Sequence, residues 1–201
     1  MTKIAKIVKS NSHVDYVGRV IDSLDASEPP APDDYGFAQF VRIPFDGGEE
    51  LIGVVYTTQL ANPEYGSFGP RLSPQADLAV LSPDYLNEQG VLLGILLLGS
   101  RVREGDLWEC RQGVPRRVAP VGQDVYNLPD GEAFEFHRGE GGRLQLHYFS
   151  QTLAHAGPFA VPLVEAVITQ LEPACTAQER QRLCVLKKSL VWQRTLGGMR
   201  L

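Results

Sequence analysis

Residues 91–98, VLLGILLL, form an apolar run with no polar interruption, and this run limits what the chain can fold into more than any other feature. A strand with one wet face alternates apolar and polar residues, so an unalternated run needs both faces covered. The run is far shorter than the roughly 20 residues a helix needs to cross a bilayer. Its companions are β-like too. VDYVGRVI at 14–21, FAQFVRIPF at 37–45 and LIGVVYTT at 51–58 are rich in β-branched and aromatic residues, with Gly, Pro and Asp between them. Short runs punctuated in this way predict a small β-barrel or sandwich.

The first strand is expected over Tyr16–Ile21 and the next over Phe37–Phe45. In the latter, Phe37, Gln39, Val41 and Ile43 share one face and Ala38, Phe40, Arg42 and Pro44 the other. Asp46-Gly47-Gly48 tolerates positive φ and closes a hairpin onto Leu51–Thr58. Gly18 and Gly53 inside strand patterns mark bulges or close backbone approaches, and Gly94 in the apolar run admits a close neighbour. DASEPPAPDD at 25–34 reads as an exposed loop. ANPEYGSFGPRLSPQAD at 61–77 is a long Pro/Gly-rich insertion, read as an interaction loop or as disordered. Leu78–Leu81 and Tyr85–Leu86 are read as a short strand or helix before the apolar run.

The C-terminal part changes period. Ala160, Leu163, Val164, Val167, Ile168 and Leu171 recur at spacings of three and four, which predicts a helix with one apolar stripe. Pro162 fits its first turn and Pro173 ends it. Thr176-Ala-Gln-Glu179 is a capping box for a second helix, expected to run to about Leu196 and stop at Gly197-Gly198. The expected fold class is therefore α+β: a small β-barrel, a Pro-rich connector and a C-terminal helical pair. The expected domains are a barrel at 1–104 carrying the 61–77 loop, a connector with extra strands at 105–157, and a helical segment at 158–201.

With 43% hydrophobic and 21% charged residues the chain has the composition of a soluble globular protein. The N-terminal MTKIAKIVKS lacks the apolar core of a signal peptide, and Cys110, Cys175 and Cys184 have neither metal spacing nor the even count of a disulfide framework. A cytoplasmic location is expected, with no membrane association. The net charge of −5 is unevenly spread: residues 1–19 carry +3, residues 176–201 carry +5 and the body between them −13. An acidic body argues against a general nucleic-acid surface, since phosphate binding needs clustered Lys and Arg.

The strand order, with Gly18 in the first strand, a hairpin into a second strand marked by Gly53 and a later apolar strand at 91–101, resembles the HAS-barrel that heads HerA-type DNA-translocating ATPases. Pro120-Val121-Gly122-Gln123-Asp124-Val125 resembles the PxGxxV-like element linking barrel to motor in those proteins. The resemblance covers roughly residues 14–130. It implies protein–protein docking on the rim of a ring ATPase, including attachment of a nuclease. The motor itself is not matched. Lys9-Ser10 and Lys188-Ser189 follow no glycine-rich loop, so no phosphate-binding loop is expected and no cofactor with it.

Other chemistry is sparse. His13, His137, His147 and His155 show no HExxH spacing; a metal site from His137, His147 and Glu135 would need a hairpin, and strand histidines without a metal are the preferred reading. Cys110 beside Glu109 and Arg111 reads as a small buried apolar residue before it reads as a reactive thiol. Asp130, Glu132 and Glu135 read as solvated acids near a turn. Arg101, Arg103, Arg111, Arg116 and Arg117 form a candidate contact patch, because guanidinium forks pair with carboxylate or phosphate. Arg180, Lys187 and Arg194 recur every seven residues as a cationic stripe, while Leu183, Leu186 and Leu190 face the body. Solvated strand ends and a solvated helix face are the plainer readings of both.

The expectation drawn from these observations is a non-enzymatic docking or assembly module, with no catalytic, cofactor-binding or metal residues. Its candidate interface is Arg101, Arg103, Arg116, Arg117, Arg180, Lys187 and Arg194. Expected partners are proteins, such as a ring ATPase or nuclease subunit, or a second copy of the chain. The alternatives are a small enzyme or ligand-binding barrel, and a nucleic-acid-binding barrel, the latter weakened because aromatic and basic residues are not interleaved.

Overall fold

The apolar run lies in the wall of a closed barrel. A computed structural model describes the backbone of residues 2–68 and 89–197, and within them every side chain except those of 66–68, 140 and 191–197. The strands are β1 (Lys3–Ser10), β2 (Asp15–Val20), β3 (Phe40–Pro44), β4 (Glu49–Ala61), β5 (Gly90–Glu104), β6 (Leu107–Gln112) and β7 (Asp124–Asn127). Six of them follow the order β2-β1-β7-β3-β4-β5, and the pairing of β5 with β2 closes the ring. All pairings are antiparallel. The first half of β5 pairs with β2 (Leu92↔Arg19 to Leu96↔Asp15), and the second half carries β6 outside the ring (Gly99↔Gln112 to Glu104↔Leu107).

Both faces of β5 are covered, as its lack of alternation requires. Leu93, Ile95, Leu96, Leu97 and Leu98 are buried. Along the β3–β4 register, Val41, Ile43, Leu51, Gly53 and Val55 share the face that turns into the barrel, while Phe40, Arg42, Glu50, Ile52 and Val54 turn outward. The outward face is roofed by helices, where Val54 meets Tyr148, Leu163 and Val167. Each fully buried Leu, Ile or Val contributes about 1.5–3 kcal/mol relative to exposure. Gly53 is one of the tight points of the wall: a Cβ there would stand 2.9 Å from Ile95 Cγ2 and 3.0 Å from the Leu96 carbonyl. A bulge in the β4–β5 ladder adjoins it. There the Leu97 carbonyl accepts from Gln151 Nε2 at 2.6 Å and the Leu98 carbonyl from the Gly113 amide at 2.8 Å.

Three strand expectations change. Lys3–Ser10, to which the sequence pattern assigns no element, is a barrel strand; Ile4, Ala5 and Ile7 are buried between the lysines. The strand expected from Phe37 starts at Phe40, because Ala38 is buried at φ 65° and turns the chain, leaving Phe37 exposed. The segment expected as a connector with extra strands does supply two, β6 and β7, but β7 belongs to the barrel ring itself, filling the slot between β1 and β3. The hairpin turn after β3 is as expected, with Gly47 and Gly48 at positive φ. Of the 61–77 insertion, Pro63–Phe68 is a short helix, α1; residues 69–77, Leu78–Leu81 and Tyr85–Leu86 lie outside the described residues.

The remaining α-helices among the described residues are α2 (Asp130–Phe136), α3 (Phe149–His155), α4 (Ala160–Leu171) and α5 (Ala177–Gly197). The six residues of the expected stripe are the six buried residues of α4. Glu179 accepts from the Thr176 amide at 2.9 Å, while Thr176 Oγ1 accepts from the Glu179 amide at 3.3 Å, completing the capping box. Leu183 and Leu190 are buried beside α4, and Leu186 is half-buried. The expected helical pair is thus the end of a layer that α2 and α3 begin. No helix among the described residues is long and apolar enough to cross a membrane.

Candidate functional site

The segment 113–122, GVPRRVAPVG, leaves β6 and crosses one end of the barrel. Three tethers hold it. His13 Nε2 donates to the Pro115 carbonyl at 2.6 Å, the Ala119 amide donates to Tyr16 Oη at 3.3 Å, and the Gly122 amide donates to the Ile7 carbonyl at 2.8 Å. Pro115 and Ala119 are buried against the barrel. Between them the chain turns outward: Val114 is 63% exposed, Val118 58% and Val121 77%, with Arg116 exposed among them. Arg117 lies over the Phe45 ring at 4.1 Å and pairs with Glu49 at 2.6 Å. The Pro120–Val125 element is the turn that launches β7, with Val125 buried in the wall.

The candidate arginines separate into different roles. Arg101 is 1% exposed and does not belong to a contact surface. Its Nε donates to Glu50 Oε2 at 2.7 Å, its Nη2 to Glu132 Oε2 at 2.5 Å, and its guanidinium lies 4.1 Å from the centroid of the Trp108 ring. Glu50 also accepts from Arg42 Nη1 at 2.7 Å. This buried ionic cluster joins β3, β4 and β5 to α2. It corrects the reading of Glu132 as a solvated acid: its carboxylate is the counter-charge that α2 brings down onto Arg101. Sequence reasoning missed Glu50, Arg42 and Trp108; the available signal was a charge between apolar strand neighbours, Val41-Arg42-Ile43, and an acid opening an apolar strand, Glu50-Leu51-Ile52. Arg103 is exposed and donates to the Gly105 carbonyl at 3.1 Å, and Arg111 pairs with Glu109 at 2.7 Å.

On α5 the stripe is partly tied down. Arg180 Nε donates to the Cys175 carbonyl at 3.0 Å, and Lys187 bridges back to α4's end through Glu172 at 2.7 Å and Thr169 at 3.1 Å. The Arg194 side chain lies outside the described residues.

His137 lies in the core beneath α2. Its Nδ1 is 2.5 Å from the Ala133 carbonyl, which only accepts, so Nδ1 carries the proton; Nε2, 2.5 Å from Tyr148 Oη, then accepts from the phenol. The Phe40, Phe136 and Tyr148 rings surround it edge-on. Burial lowers its pKa to about 4 and raises that of Tyr148. With both ring nitrogens engaged, His137 has none to offer a metal, and His147 and Glu135 are exposed away from the core. Among the described residues no group of three or more His, Cys, Asp or Glu could hold a metal ion. The Cys110 thiol is half-buried rather than buried, and desolvation pushes its pKa up, the opposite of nucleophilic activation.

A hollow of about 260 Å³ opens elsewhere on the wall, lined by Lys9, Asn11, Tyr56, Thr57 and Gln59. At its edge Asp15 accepts from both Tyr56 Oη and Asn11 Nδ2 at 3.0 Å. Burial and the Asp15 carboxylate hold the Tyr56 phenol up at about 12, so it is no acid–base group at neutral pH.

No curated protein matches the chain. A family model described as a domain of unknown function (DUF8166) matches residues 1–200, and the chain belongs to that family.

Proposed function

We propose that this member of a domain family of unknown function is a non-enzymatic assembly module of the cytoplasm, a barrel of HAS type that docks protein subunits. The observation that carries the reading is the 113–122 segment. It is fixed to the barrel end by His13, Tyr16 and Ile7, yet turns Val114, Val118, Val121 and Arg116 to solvent. Rigid loops that display apolar side chains with arginine have the make-up of protein interfaces, whose cores favour such residues over Lys and Glu. The PxGxxV-like element that carries the HerA resemblance, Pro120–Val125, ends the same segment. A ring ATPase or nuclease subunit with an acidic-rimmed apolar pocket is therefore the partner class.

Sedimentation of the purified chain with the HerA-type ATPase and nuclease of its own host tests this. A complex that Val118→Asp with Arg116→Glu weakens at least tenfold supports the reading; no complex with either protein overturns it. A second reading, a ligand-binding barrel, is favoured by the polar hollow at Tyr56. A small molecule that raises Tm in the wild type but not in Tyr56→Phe would favour it instead.

A further inference from the structure

We propose that two copies of this chain pair edge to edge through β6, in an antiparallel register centred on Cys110. The surface is the outer edge of β6, which adjoins the 113–122 docking segment at Gly113, and the partner is a second copy.

Among the described residues strand β6 pairs with β5 alone, whereas each of the six ring strands has neighbours on both sides. The ladder parity follows from its end, where the Gly113 amide bonds the Leu98 carbonyl. Alternate residues Leu107, Glu109 and Arg111 thus turn their main-chain groups toward β5, and Trp108, Cys110 and Gln112 turn theirs outward. Among the described residues no backbone hydrogen bond reaches those outward groups. An open edge of this kind is a template for another strand.

The side chains say which strand. Natural edges repel copies of themselves with like charges, lysines or prolines. Here Glu109 and Arg111 flank Cys110 symmetrically, on the exposed face, 44% and 73% exposed. An antiparallel copy registered at Cys110 sets each Glu109 opposite the partner's Arg111, so both cross-strand pairs are of opposite charge. The same register puts Leu107, 77% exposed, opposite the partner's Gly113, where a Cβ would meet nothing within 4 Å. It also brings the outward groups of Trp108, Cys110 and Gln112 against those of the partner's Gln112, Cys110 and Trp108, the hydrogen-bonded positions of an antiparallel ladder. Shifting the register by two residues would break the charge match. The contact is isologous, closing as a twofold dimer rather than growing into a fibre.

Sedimentation velocity on the purified chain, alone and over a concentration series, reads this directly. The wild type is expected to show a reversible dimer that weakens as salt screens the charge pairs. Glu109→Arg and Arg111→Glu, each placing like charges opposite one another in both cross-strand pairs, should raise the dimer Kd at least tenfold. Mixing the two variants should restore a heterodimer, since one chain then carries arginine at both positions and the other carries glutamate at both. Unchanged Tm in each variant shows that the monomer is intact. A wild type that stays monomeric throughout the series, or single variants that dimerise as well as the wild type, would overturn the proposal. These measurements use no other protein, so their failure is distinct from failure of the docking reading.

Discussion

The barrel and the helical layer are held together in opposite ways. The barrel joins residues far apart in the chain: Thr2 bonds Asn127, and β1 pairs with β7 from Lys3↔Tyr126 to Lys6↔Asp124. It depends on backbone approaches so close that Gly53 leaves no room for a methyl group. The layer from α3 to α5 is built in chain order from neighbouring helices, with a regular apolar stripe and a capping box. Between them, beside the apolar contact of Val54 with Tyr148, Leu163 and Val167, runs a polar seam. Arg101, Glu50 and Glu132 clamp β5 and β4 to α2, and His137 bridges α2 to Tyr148 beneath Phe40. The seam, not either body, is therefore where single substitutions should hurt most.

The largest effect is expected from Arg101→Ala. It leaves the buried Glu50 carboxylate with only its Arg42 ion pair, at 2.7 Å, and removes the counter-charge of Glu132. Breaking a buried pair from one side costs about 3–5 kcal/mol, read as a shift in urea midpoint; a loss below that of the barrel variants would move the weak point out of the seam. Acid comes next. The His137 pKa is about 4 in the fold against 6.5 unfolded, so the unfolded chain binds the proton first. Its contribution is complete above pH 6.5 and declines as pH falls toward 4, by about 3 kcal/mol at most. His137→Phe should flatten the pH dependence of stability in that window. Glu179, held down to about 2 chiefly by the Thr176 amide, responds only at lower pH.

Inside the barrel, Gly53→Val should cost about 1–3 kcal/mol through overpacking against Ile95 and the Leu96 carbonyl. An unchanged denaturation midpoint would mean that the wall yields more easily than its geometry implies. The smallest effect belongs to the helical surface: Lys187→Ala loses a part-exposed pair with Glu172, about 0–1 kcal/mol. If it matched Gly53→Val, the contrast between a tight barrel and a tolerant layer would fail.

How much of this was legible followed the range of the interactions. The α4 stripe and the Thr176–Glu179 box are local patterns, and they stand where the periodicity puts them. The doubly buried β5 was legible for the same reason. Strand β1 was not, because Lys3, Lys6 and Lys9 interrupt its apolar residues and read as a basic terminus. Strand β7 is four residues long in a Pro-rich stretch, and only its partners β1 and β3 make it a strand. Arg101 sits in the alternating Ser-Arg-Val-Arg-Glu at 100–104, which resembles a solvated strand end; its burial comes from α2, some thirty residues later.

The position of β7 also sets a schedule. During synthesis β1 to β5 emerge first, and the slot between β1 and β3 stays vacant until Asp124–Asn127 leave the ribosome. Ring closure over so long a stretch is slow compared with forming the β3–β4 hairpin. Pulsed hydrogen exchange during refolding is accordingly expected to protect the β3–β4 amides before those shared by β1 and β7. Until that last strand arrives, β1 and β3 each present an open edge, the kind of surface on which unfinished chains aggregate. The arrival of four residues thus divides the life of each new molecule into a stage with an open ring and a stage with a closed one.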